Sequence, residues 1–108
     1  MGYEEIDINA VAMSVIINAG DGRNCIDQAM DRLASLDLAG AECCLKDADE
    51  KILLAHKAQT EAIQRQAAGE HIEYSLLFAH AQDTLMTISA ELHMSKKMLP
   101  IVRALASR

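Results

Sequence analysis

Aromatic side chains and proline are nearly missing from this sequence. Its 108 residues include two tyrosines, one phenylalanine, no tryptophan and a single proline, Pro100. A β-sandwich of this length draws on aromatic and β-branched residues and on Gly/Pro turns, so that architecture is excluded. No run of about 18 apolar residues is present, so no segment is expected to span a membrane. An excess of basic residues is also absent. Ten Lys+Arg stand against sixteen Asp+Glu, giving a net charge of −6 and a sequence pI near 5.0. The chain therefore lacks the electrostatic footprint of a nucleic-acid binder. Cys25, Cys43 and Cys44 are an odd number of cysteines, two of them adjacent in a helical pattern and badly placed to bridge each other. They read as free thiols in a reducing cytosol. The N-terminus, with Glu4, Glu5 and Asp7, is acidic where a signal peptide is basic, so the expected location is cytoplasmic.

What is present is helix-forming: Ala, Leu, Met, Glu and Gln dominate. The length suits one domain, 1–108, with residues 1–5 expected to be poorly ordered. Ile8, Ala12, Val15, Ala19, Gly22, Ile26, Ala29 and Leu33 alternate steps of three and four, the spacing of a helix with one buried stripe. Asp37 follows as an N-cap. Leu38, Ala41, Leu45, Ala48, Ile52, Ala55, Gln59, Ile63 and Gln66 repeat the pattern, with Gln59 and Gln66 as seam amides. Gly69 is placed to end this second helix, and a third begins between His71 and Ser75. Gly20 and Gly22 lie inside the first helix, marking either a close helix approach or a kink. Pro100 removes one helical hydrogen bond, so a kink or short break is expected near Met98 and Leu99. Taken together, the pattern predicts an all-α, antiparallel three-helix bundle running up-down-up.

The third helix has two apolar stripes. Phe78, Ala81, Leu85, Ile88, Leu92, Leu99 and Val102 form one; Leu76, Ala79, Met86, Ala90 and Met94 form the other. A three-helix unit buries only one of them internally, so the second is expected to meet other copies of the chain in a homo-oligomer. Asp83 lies on that second stripe, one heptad from Leu76 and from Ala90. A carboxylate in an apolar seam must be paired, hydrogen-bonded, protonated or bound to a cation. His80 precedes it by three residues and faces the same way. A neutral imidazole is a competent nucleophile near pH 7, although His-x-x-Asp alone falls short of the three or four ligands of a metal site. The remaining histidines, His56, His71 and His93, are expected to be solvated or packed.

The segment HKAQTEAIQRQAAGEHIEYSLLFAHAQDTLMT, His56 to Thr87, carries more specific information. It resembles the IIA component of the lactose/cellobiose/diacetylchitobiose branch of the bacterial sugar phosphotransferase system. Members carry a similar H-x-x-Q-T segment, an Ala-Gly loop and then S-L-L-x-x-H-A-Q-D-x-L-M-T. IINAGDGRNCIDQAM, Ile16 to Met30, is similar to the family's first helix. The resemblance implies a homotrimer in which His80 is the phosphorylated residue and Gln82 supports it. It also implies that Asp83 holds a divalent, Mg²⁺-like cation on the threefold axis, with no organic cofactor. Implied partners are the phosphocarrier HPr, which donates the phosphoryl group, and the cognate IIB component, whose cysteine receives it. The IIC permease takes part indirectly, in uptake of a β-linked disaccharide. Two positions depart from the pattern: Thr84 stands where many members have a second histidine, and Pro100 interrupts a stretch usually free of proline. These departures sustain an alternative, a non-catalytic helical trimer that kept the fold and lost transfer.

Overall fold

The computed structural model describes residues 5–108 and has three helices: α1 (Ile8–Ala34), α2 (Leu38–Ala67) and α3 (Leu76–Ala106). Among the described residues there is no strand. Of the terminal residues expected to be disordered, Met1 to Glu4 lie outside the described ones; Glu5 is exposed and precedes the first helix.

Each helix starts on a side-chain cap. Asp7 accepts from Ala10 N–H at 3.1 Å, Asp37 from Gly40 N–H at 2.9 Å and Ser75 from Phe78 N–H at 3.0 Å. These oxygens satisfy donors that the helix itself cannot. The α1–α2 turn is very tight. Leu36 N–H bonds the Leu33 carbonyl and Asp37 N–H bonds the Arg32 carbonyl, both at 2.9 Å. That paired closure requires a left-handed residue between them, and Leu36 supplies it at φ 62°. Asp37 thus closes one helix and opens the next. The same closure ends α2: Gly69 N–H bonds Gln66, Glu70 N–H bonds Arg65, and Gly69 takes φ 96° as a glycine can without strain.

The stripe read from α1 is the stripe it buries: Ala12, Val15, Ala19, Gly22, Ile26, Ala29 and Leu33. From α2 come Ala41, Leu45, Ala48, Ile52, Ala55 and Ala62, and from α3 Ala81, Leu85, Ile88, Leu92 and Ser95. Gly22 marks a close approach: a Cβ there meets Ile52 Cγ1 at 2.7 Å, whereas one on Gly20 meets nothing within 4 Å. Polar contacts set the helix directions. Along α2 and α3, Glu42–Arg103, Asp49–Lys96 and His56–Ser89 ascend on one helix as they descend on the other. Along α1 and α3, Asn9–Ser75 and Arg23–Glu91 advance together.

Several expectations need correction. At the end of α2 the seam passes through Ala62, and Ile63 is exposed. Ala62 faces Ala10 and Val11 of α1, whereas Ile63 borders the cleft shared with Phe78 and Gln82 of α3. Gln66 is exposed, and Gln59 is half-buried. Met13, Met86, Met94 and Met98 are exposed, while Met30 packs on the core. Pro100 does not break α3, which continues to Ala106. The missing N–H frees the carbonyl of Lys96, an exposed residue, so water can take the place of the lost donor.

Two substitutions test this backbone. Leu36→Gly removes the left-handed penalty at an exposed position and should stabilise by about 1 kcal/mol. Gly22→Ala should destabilise by about 1–3 kcal/mol, because overpacking against buried Ile52 outweighs the helix propensity gained. Urea midpoints of both variants against the parent chain measure the opposite signs.

Candidate functional site

α3 carries all three residues of the candidate site, His80, Gln82 and Asp83. Its second stripe remains uncovered in the single chain, with Leu76 73%, Met86 67% and Met94 60% exposed. His80 and Asp83 are exposed as well, and their spacing sets them one turn apart on the outer side of the helix. Among the described residues, neither the His80 imidazole nor the Asp83 carboxylate forms a hydrogen bond or an ion pair within the chain.

The other residues of the motif separate from this pair. Gln82 is half-buried and lines a cleft of about 270 Å³ with Ile63, Gln66, Tyr74, Phe78 and Ala79. It therefore points to the α2 side. Ala81 is fully buried and belongs to the core; of the two alanines beside His80, only Ala79 borders open space. Thr84 is half-buried, and its hydroxyl donates to the His80 carbonyl at 2.9 Å. Thr87 does the same for the Asp83 carbonyl, also at 2.9 Å.

The remaining histidines stay apart from His80. His56 Nε2 is 3.1 Å from Ser89 Oγ, and both line a groove shared with His93. His71 lies exposed in the α2–α3 connection. Near the site's end of α2, Gln59 has a buried Oε1 that finds no donor among the described residues. An unmade bond of this kind costs about 1–3 kcal/mol. Sequence spacing located Gln59 on the seam but held no signal for the missing partner.

Among the described residues, no three His, Cys, Asp or Glu side chains gather in one chain to hold a metal ion. Asp83 alone offers one carboxylate, short of the ligand set of a protein-built metal site. Arg23 binds Glu91 through two contacts at 2.9 and 3.1 Å, and that bond raises the guanidinium's pKa further. The thiols stand elsewhere: Cys25 and Cys44 pack against the α1–α2 core and Cys43 is exposed. Burial, then the charge of Asp47 and the proximity of Cys44, push the Cys25 thiol up.

With this geometry the chain belongs to the family described as "PTS system, Lactose/Cellobiose specific IIA subunit", which it matches over residues 10–103. Among its relatives, the lichenan-specific phosphotransferase enzyme IIA component of Bacillus subtilis is 34% identical over 95 residues, covering 88% of this chain and 86% of that protein. The cellobiose-specific EIIA component of Lactococcus lactis is 36% identical over 80 residues, covering 74% and 69%. Solved structures agree in fold. PtcA from S. mutans superposes with a TM-score of 0.88 at 30% identity, covering 94% of this chain and 99% of that one. The PTS cellobiose-specific enzyme IIA from Bacillus anthracis gives 0.88 at 28% identity, covering 97% and 96%. No helix among the described residues is long and apolar enough to cross a membrane.

A thiol reagent should distinguish the cysteines. Because its pKa is raised, Cys25 holds less thiolate at neutral pH and should react more slowly than exposed Cys43. Peptide mapping after timed alkylation at pH 7.5 checks the order, and the Cys25 rate should keep climbing at higher pH.

Proposed function

We propose that this chain is a cytoplasmic phosphoryl carrier of a sugar phosphotransferase system, with His80 as the residue that carries the phosphoryl group. The observation behind this reading is that His80 stands exposed on α3, its imidazole without a hydrogen bond among the described residues, in a member of the IIA family. A neutral His80 nitrogen attacks the phosphorus of phospho-HPr in line; the new N–P bond forms as the bond to the HPr histidine breaks. The HPr imidazole keeps that electron pair and takes up a proton. A cysteine thiolate of the cognate IIB component then takes the phosphoryl group, returning the electron pair to His80. Such chemistry rests on positioning and charge stabilisation. Gln82, on the cleft side of the helix, supports the turn rather than meeting the phosphoryl group. The sugar is a β-linked disaccharide delivered by IIC, in keeping with the lichenan- and cellobiose-specific names of the relatives.

The same reading makes the three-helix, up-down-up unit one protomer of a homotrimer. Its support is the uncovered stripe of Leu76, Met86 and Met94, too large to leave in water on a small domain. Three Asp83 carboxylates brought together on the axis would repel one another, and a divalent cation with oxygen ligands relieves this. The unengaged Asp83 carboxylate fits that role. The ion would contribute charge compensation between protomers.

Incubation with phosphoenolpyruvate, enzyme I and HPr should place acid-labile phosphate on the wild-type chain and none on His80→Ala. Equal labelling of both, or of neither, overturns the carrier reading, and no labelling of the wild type favours the non-catalytic scaffold. Analytical ultracentrifugation should show a trimer that Met86→Asp dissociates, since a charge in a close-packed seam costs several kcal/mol. EDTA should lower the melting temperature of the wild type and leave that of Asp83→Asn unchanged.

A further inference from the structure

The hydroxyls of Thr84 and Thr87 are each spent on the carbonyl four residues back, and those carbonyls belong to His80 and Asp83. Elsewhere along α3 such a bond occurs only at the C-cap, from Ser107 to Arg103. A carbonyl that accepts a side-chain hydroxyl as well as the helical N–H tilts outward, and the helix bends slightly at that turn. Thr84 is half-buried and its hydroxyl is engaged on the His80 carbonyl, while the His80 ring is exposed. Among the described residues no hydrogen bond fixes that ring, so its direction depends on the backbone turn that bears it.

We infer that Thr84 is a positioning residue for His80. Its hydroxyl sets the inclination of the turn and hence the direction in which the imidazole meets a docking partner. This rests on the reading of His80 as the phosphoryl acceptor and extends it to a residue one turn away. In-line transfer is sensitive to such placement, since a displacement of about 1 Å can cost about a hundredfold in rate. A tilt from one back-bond is smaller, and the expected effect is correspondingly about three- to tenfold.

Thr84→Val keeps the shape and β-branching and deletes only the hydroxyl; Thr84→Ser keeps the hydroxyl. Phosphorylation of the full chain by phospho-HPr should slow about three- to tenfold in Thr84→Val, with an unchanged melting temperature, and recover in Thr84→Ser. The His80 imidazole signals in a ¹H–¹⁵N spectrum should move in Thr84→Val and return in Thr84→Ser. Thr87→Val, which loosens the neighbouring turn, should leave both the rate and those signals near wild type. Thr84→Val with wild-type rate and signals, or Thr87→Val slowed as much as Thr84→Val, overturns the inference. If the wild type takes no phosphate on His80, the carrier reading fails. The ring signals then still decide whether Thr84 orients His80.

Discussion

Close helix approach through alanine is the constraint on which the rest of this molecule depends. Ala12, Ala19, Ala29, Ala41, Ala48, Ala55 and Ala81 are all fully buried, and Gly22 completes the run where α1 nears Ile52. Small side chains bring helix axes together, but each buries little apolar area. The core is therefore thin relative to the length of its helices. Larger side chains such as Met86 and Met94 are left on the outer face of α3, where the internal packing has no volume for them.

A thin apolar core shifts the task of specifying register onto polar contacts. Glu42–Arg103, Asp49–Lys96 and His56–Ser89 recur at seven-residue spacing along the α2–α3 boundary, and Arg23 grips Glu91 across the α1–α3 boundary. Exposed ion pairs add little stability individually. All three α2–α3 contacts nevertheless form together only in the observed register, because a slide of one heptad deprives Arg103 and His56 of these partners. That fixed register holds His80 and Asp83 on a face with no internal partner.

Much of this was readable in the sequence. The three-four spacing of α1 named its buried face, Asp37 and Gly69 announced the helix ends, and the HAQD segment supplied the candidate site. Legibility failed where a neighbour decided the outcome. Ile63 and Ala62 are equally placed for a seam by spacing, yet Ala62 is buried and Ile63 is exposed. Ala81 adjoins His80 in sequence, yet adjacent residues on a helix face different ways, and this one faces the core. Gln82 turned toward α2 for the same reason. Pro100 signalled a break by local rules, but a single lost hydrogen bond at a solvated carbonyl is too small a defect to end a helix of 31 residues.

The two inter-helix connections differ in how much change they can absorb. Asp37 closes α1 and caps α2 within the same few atoms, so an added residue there would detach one helix end or the other. The stretch from Gly69 to Ser75 spans two separate closures with ordinary chain between them. Insertions and natural length variation should therefore gather in that second connection. It borders the cleft lined by Tyr74 and Gln82, so the molecule's most editable segment lies within reach of its proposed chemistry. Descendants of this chain can thus alter the surroundings of His80 without disturbing the alanine seam that holds the helices together.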